Sequence, residues 1–186
     1  MKRSAAPGPD GVTVKMLFHA RHALAMPLAT LFNQILQENK VPLLFKKAKI
    51  SLLHKKNSRD EPKNYRPLSM TSNVGKLFEH IMNKVLLDYL EKIGYLSSRQ
   101  HGFRRKRGTQ TALVQMWKKF NDIYASKGGL HFFGLDLSKA FDLCNHGKLV
   151  EVLYDAGIRG NFGATLVDWL LHRTQYVEDA NQLNAM

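Results

Sequence analysis

At 186 residues the chain has the length of one domain or part of one, and its 44% hydrophobic, 10% aromatic and 23% charged residues exclude a disordered tail or a fibre. Lys and Arg number 28 against 15 Asp and Glu, a formal charge of +13, which points to a polyanionic partner or, more simply, to a surface kept soluble by charge. A single cysteine, Cys144, excludes an internal disulfide, the basic start lacks the apolar stretch of a secretion signal, and no apolar run reaches the roughly 18 residues of a membrane span. The expected setting is intracellular, nuclear or cytoplasmic, with no secretion and no membrane.

Ala6-Pro7-Gly8-Pro9-Asp10-Gly11 reads as a turn, because proline fixes φ and Gly11 tolerates a positive one. From Val14 to Leu36, apolar residues at three- and four-residue spacing predict helix over about 14–39, with Pro27 interrupting it or opening its second half. Residues 47–54 and about 65–70 read as two short strands of a hairpin with a long basic tip at 55–64. Thr71 or Ser72 can cap a strong amphipathic helix to about Ile93, ended by Gly94. His80 within it is read as a packed or solvent-edge side chain, not a ligand.

After a basic loop at 99–108, Leu113, Met116, Trp117, Phe120, Ile123 and Tyr124 predict a further helix closed by Gly128-Gly129, its apolar face read as core contact. The run 130–137, Leu-His-Phe-Phe-Gly-Leu-Asp-Leu, is the best strand candidate, and helices are expected at about 146–156 and 161–172. The tail from Thr174 looks like a strand that stops without a partner. The pattern is α+β, with helices outnumbering strands.

Charge is clustered. Residues 40–66 carry nine basic side chains against two acidic ones, and 99–119 carry seven against none, so 16 of the 28 basic residues fall in two loop-centred windows. A solubility surface mixes signs, whereas phosphate-neutralising loops do not, and their binding weakens steeply with salt. Asp136 closes the candidate strand at 130–137, and a carboxylate there must be paired, hydrogen-bonded or metal-bound. In so basic a chain Mg²⁺ coordination is the economical reading, because hard oxygens hold it while substrate phosphates complete its shell; an N-cap role for Asp136 remains the alternative.

Several blocks, in order, resemble the reverse transcriptase domain of non-LTR retrotransposons of the long interspersed element type. Ala6-Pro7-Gly8-Pro9-Asp10-Gly11-Val12 looks like the family's opening block, and Ala48-Lys49-Ile50 through Lys55-Lys56 resembles its strand with a basic tip. Pro62-Lys63-Asn64-Tyr65-Arg66-Pro67-Leu68-Ser69 is close to the P-x-N-Y-R-P-I-S signature, and Lys76-Leu77-Phe78-Glu79 lies in the helix that follows. Gln100-His101-Gly102-Phe103-Arg104, with Arg107 and Thr109, resembles the Q-x-G-F-R block. Leu135-Asp136-Leu137-Ser138-Lys139-Ala140-Phe141-Asp142, with His146, is similar to D-x-S-K-A-F-D-x-x-x-H.

The resemblance implies a right-hand polymerase fold, truncated: helix-rich fingers with a short hairpin over 1–128 and an incomplete palm over 129–186. The implied partners are an RNA template, a DNA primer and dNTP, with Mg²⁺ or Mn²⁺ as cofactor and attack of the primer 3′-hydroxyl on the dNTP α-phosphate as chemistry. Asp136 is the implied catalytic and metal-binding carboxylate, joined by the Leu137 backbone carbonyl. Phe141 is the implied steric gate under the sugar, or else a plain core aromatic. Arg66 by a bidentate fork and Lys55 as a point charge match the triphosphate positions. Lys56, Arg104, Arg105, Lys106 and Arg107 are assigned to template or other nucleic-acid contacts, unless those loops are merely solvated.

Arg173-Thr174-Gln175-Tyr176-Val177 resembles the family's R-x-Q-x-V stretch, yet neither P-Q-G nor Y-x-D-D follows, and no Asp-Asp pair exists in the chain. One of three expected catalytic carboxylates is therefore present. The chain is expected to be inactive alone while retaining nucleic-acid binding, and to be marginally stable. The alternatives are an enzyme completed in trans by another polypeptide and a non-enzymatic basic interaction module.

Overall fold

The opening turn forms as its residues dictate in the structure, a computed structural model that describes residues 5–137, 140–141 and 143–177. Gly11 adopts φ +67° and donates its N–H to Gly8 O at 3.1 Å. Gly8 is buried so tightly that a Cβ there would stand 2.4 Å from Thr71 O, which only glycine permits. Asn73 Nδ2 donates to Val12 O at 2.7 Å and completes the docking of this turn.

Helix α1 spans Val14–His19, with Thr13 Oγ1 accepting from Met16 N–H at 3.1 Å, and α2 spans Arg21–Glu38. The expected single helix does break, but at Ala20 rather than at Pro27, which stays inside α2. Ala23 and Pro27 are both exposed, so the carbonyl that the missing proline N–H leaves free faces solvent and the interruption is tolerated there. Asn39, in the left-handed region at φ 54°, ends α2.

The short α3 (Leu43–Lys46) leads into β1 (Lys47–His54), a 3₁₀ turn at Pro62–Asn64 and β2 (Tyr65–Thr71). The expected hairpin is therefore present, with β1 and β2 antiparallel and His54 opposite Tyr65, their rings edge to face at 5.3 Å. Ser72 Oγ accepts from Gly75 N–H at 3.2 Å and caps α4 (Asn73–Lys92). At the far end Gly94 takes φ +66°, and Tyr95 N–H reaches back to Leu90 O at 3.0 Å, the glycine-terminated helix end that the sequence predicts. Helices α5 (Thr109–Ala125), α6 (His146–Asp155) and α7 (Gly160–Leu170) also fall where expected.

Two compact units result, one from residues up to Met82 together with those from Val150 on, the other Asn83–Leu149. In the first, the apolar faces of α2 and α4 enclose a core of Phe32, Ile35, Val41, Phe45, Phe78 and Met82, with Phe162, Leu166 and Trp169 of α7 against it. Phe78, 1% exposed, is its centre, and truncation to alanine there costs about 3–5 kcal/mol. The strand expected to lack a partner, β3 (Thr174–Val177), instead runs parallel to β1 and gives the sheet order β2-β1-β3. Parallel pairing needs a long crossover, here everything between β1 and β3, which no local pattern reveals.

Two further expectations are corrected in the second unit. Residues 130–137 are not in a strand: no described residue pairs with their backbone, and a lone extended segment has no ladder to hold it, so Leu135 is 98% exposed. The apolar face of α5 is not core, because no residue of this helix is buried, and Trp117 and Tyr124 stand in the open. Amphipathic spacing reports which face seeks cover, not whether anything covers it. The helix ends with Lys127, not a glycine, in the left-handed region at φ 54°.

Candidate nucleotide and nucleic-acid interface

Strand parity builds the candidate surface of the first unit. Leu53 pairs with Arg66, and the ladder continues with Lys55 N–H donating to Asn64 O at 2.8 Å. Paired residues share a face and alternate residues along a strand share a face, so Lys55 and Arg66 emerge as diagonal neighbours from one side of the hairpin. Ala48 and Ile50 emerge from the other side and are buried. Lys55, Arg66 and Leu53 are exposed, and Lys56 follows in the exposed tip.

That tip is built. Asn64, itself buried, donates from Nδ2 to Ser58 O at 2.7 Å, and Tyr65 Oη donates to Arg59 O at 2.9 Å. The two contacts fold the 55–64 loop back on the strand that carries Arg66. Sequence reasoning missed Lys47 and Lys49 on the same face; basic residues at 47, 49 and 55 all have odd numbers, a period-2 signal that could have found them.

The loop after α4 is held by one guanidinium. Arg104 donates from Nε to Glu91 Oε1 at 2.6 Å and from Nη2 to Glu91 Oε2 at 2.5 Å, while Nη1 reaches the carbonyls of Ser97 at 2.6 Å and Gln100 at 3.4 Å. The hydrogen bond from Arg104 pulls the Glu91 carboxyl below its ordinary range against partial burial, with the charges of Arg104 and Arg107 adding to it; the Arg104 guanidinium is correspondingly raised. Arg107 Nη1 donates to Ser98 O at 2.5 Å, and Arg105 Nη1 meets Asp88 Oδ1 at 2.9 Å. Lys106 is exposed with φ 57°. The four basic residues thus divide, Arg104 and Arg107 turning inward to carbonyls, Arg105 and Lys106 lying at the surface.

Asp136 lies in an exposed segment of the second unit, flanked by exposed Leu135 and Leu137. Phe141 is 80% exposed and meets Phe103 edge to face at 6.1 Å, so it is not a buried core aromatic. Asp142, Ser138 and Lys139 of the same block lie outside the described residues. Among the described residues no group of three His, Cys, Asp or Glu is placed to hold a metal. One carboxylate and one carbonyl are suitable hard oxygens for Mg²⁺, but they do not by themselves make its site.

The family model for reverse transcriptase (RNA-dependent DNA polymerase) matches residues 53–184. The chain belongs to the reverse transcriptase family. Among curated proteins it is 29% identical over 147 residues to a probable RNA-directed DNA polymerase from transposon BS of Drosophila melanogaster, covering 78% of this chain and 16% of that protein. It is 28% identical over 142 residues to a probable RNA-directed DNA polymerase from transposon X-element of the same organism, covering 76% and 16%. To the RNA-directed DNA polymerase from mobile element jockey it is 27% identical over 146 residues, covering 78% and 16%. The chain spans about one sixth of the length of these relatives. It is a reverse transcriptase domain sequence of the long interspersed element type, and the α+β architecture with its small sheet accords with a polymerase fold. Among the described residues no helix is long and apolar enough to cross a membrane.

Proposed function

We propose that this polypeptide is the fingers region (1–128) and first palm block (129–186) of an RNA-directed DNA polymerase, that it binds nucleic acid and nucleoside triphosphate, and that it does not extend a primer by itself. The observation that carries the reading is the register that sets Lys55 and Arg66 on one exposed face of the hairpin. Arg66 offers a planar fork to two phosphate oxygens and Lys55 a compact charge to a third, an arrangement suited to a triphosphate. Lys56 at the hairpin tip is assigned to template or primer, and so, within the other unit, is the basic 99–108 loop that Arg104 holds in shape.

Asp136 is the carboxylate assigned to chemistry and Phe141 the residue assigned to exclusion of a ribose 2′-hydroxyl. Enzymes of this family work with Mg²⁺ or Mn²⁺, which supply charge neutralisation at the transferred phosphate. The described donor set around Asp136 falls short of a metal site, so no catalytic step is assigned to this polypeptide alone. Completion in trans by another polypeptide predicts extension only on mixing, abolished by Asp136→Ala.

Binding of the full chain to a labelled single-stranded RNA across a salt series tests the reading. A log–log slope of several, with no primer extension, is expected. Affinity that ignores salt contradicts it and favours a protein-interaction module.

A further inference from the structure

The open face of the sheet continues from Lys55 and Arg66 to the other end of β1, about 26 Å away at roughly 3.3 Å per residue. There the parallel strand β3 adds an aromatic ring. The pairing sets Thr174 beside Lys47 and Tyr176 beside Lys49, so Tyr176 emerges on the side away from buried Ala48 and Ile50. Lys47 Nζ lies 5.0 Å from the centre of the Tyr176 ring, and Tyr176 keeps 37% of its surface exposed. None of the residues that the three strands place on this face is acidic.

We propose that Tyr176 and Lys47 form a second contact on this face for single-stranded nucleic acid, a base stacking on Tyr176 while Lys47 neutralises the adjoining phosphate. The inference rests on the reading of this face as the polymerase's nucleotide surface and adds to it a site at the opposite end of the sheet. Three observations support it together. A ring on an edge strand is reachable from solvent, as stacking demands. Its ammonium neighbour already sits against it, so a base arriving on the ring brings its own phosphate within reach of Lys47. The strand residues on this face include cations and, among the described residues of the three strands, no carboxylate, which favours a polyanion over an acidic or mixed protein surface.

The test uses the full chain and a short fluorescein-labelled single-stranded RNA, with fluorescence anisotropy as readout. Tyr176→Leu is expected to weaken binding about tenfold, the loss of one stacked base, whereas Tyr176→Phe keeps wild-type affinity. Lys47→Gln is expected to lower the slope of log affinity against log salt by about 0.7. On a strand with abasic sites, Tyr176→Leu and wild type are expected to bind alike. Wild-type affinity in Tyr176→Leu overturns the proposal, and so does an equal loss on the abasic strand, which would make the ring a mere support for β3. Titration with a labelled dNTP separates the two readings. If Arg66→Gln loses triphosphate while Tyr176→Leu binds RNA normally, the stacking site fails and the triphosphate site stands. If Arg66→Gln binds triphosphate normally while Tyr176→Leu loses RNA, the stacking site stands and the triphosphate site fails.

Discussion

Lys46 Nζ donates to Asp168 Oδ2 at 2.7 Å, joining α3 to α7 across 122 residues of chain. The lysine side chain is 2% exposed, and the same carboxylate oxygen accepts Val41 N–H at 2.7 Å. Burial alone would raise the Asp168 carboxyl, but the hydrogen bonds from Lys46 and Val41 and the charges of Lys46 and His172 outweigh it and hold it below its ordinary value.

Asp168→Asn strands a buried ammonium and is expected to cost about 3 kcal/mol in urea unfolding, whereas Lys46→Met with Asp168→Asn recovers most of that loss. Because the carboxyl is lowered in the folded chain, its contribution is fully present above about pH 3.9 and disappears as pH falls through the folded value. The gap between wild type and Asp168→Asn should therefore narrow in acid.

Glu79 carries the opposite sign. Burial raises its carboxyl, against the charges of Arg173 and Lys76 and a hydrogen bond from Trp169. The folded state thus favours the protonated form, and this group's contribution to stability improves as pH falls through its raised value toward about 4.3. Glu79→Gln is expected to raise the thermal midpoint at neutral pH, with the gain shrinking toward pH 4. A gain that persists there contradicts the assignment to burial.

Arg104→Ala removes four donated hydrogen bonds and leaves Glu91 without its fork. Amide hydrogen exchange over 97–108 should accelerate about tenfold or more, the equivalent of one charge-assisted bond. Arg104→Lys should restore only part of the protection, since an ammonium cannot fork. Unchanged exchange would mean that the loop holds its shape without this residue.

Gly8→Ala places a methyl 2.4 Å from Thr71 O and 2.6 Å from Ser72 N, so the turn must withdraw. A loss of about 1–3 kcal/mol is expected, in the range of overpacking.

Local signals were readable where a single segment carries the whole message. Helix α4 shows its apolar face, its Ser72 cap and its Gly94 stop within 23 residues of sequence, and the hairpin shows two strand patterns around a polar tip. Pairings between distant segments were not readable: β3 against β1, or Asp168 beneath Lys46, join residues more than 100 positions apart. The 130–137 pattern misled because a short, aromatic run after glycines expresses a preference that only a partner strand can realise. The site followed the same division. Lys55 and Arg66 were named from their motifs, but their common face depends on register, and the inward turn of Arg104 depends on Glu91, 13 residues away.

The most direct measurement is equilibrium titration of the 186-residue chain with a fluorescent dNTP at low salt, wild type beside Arg66→Gln and, as a charge control at an exposed position on α4 outside the hairpin, Lys84→Gln. Saturable binding is predicted for wild type and Lys84→Gln, with Arg66→Gln weaker by roughly tenfold to a hundredfold, as loss of a charge-assisted fork implies. Equal binding in all three, or none in wild type, would contradict the assignment of the hairpin face to the triphosphate.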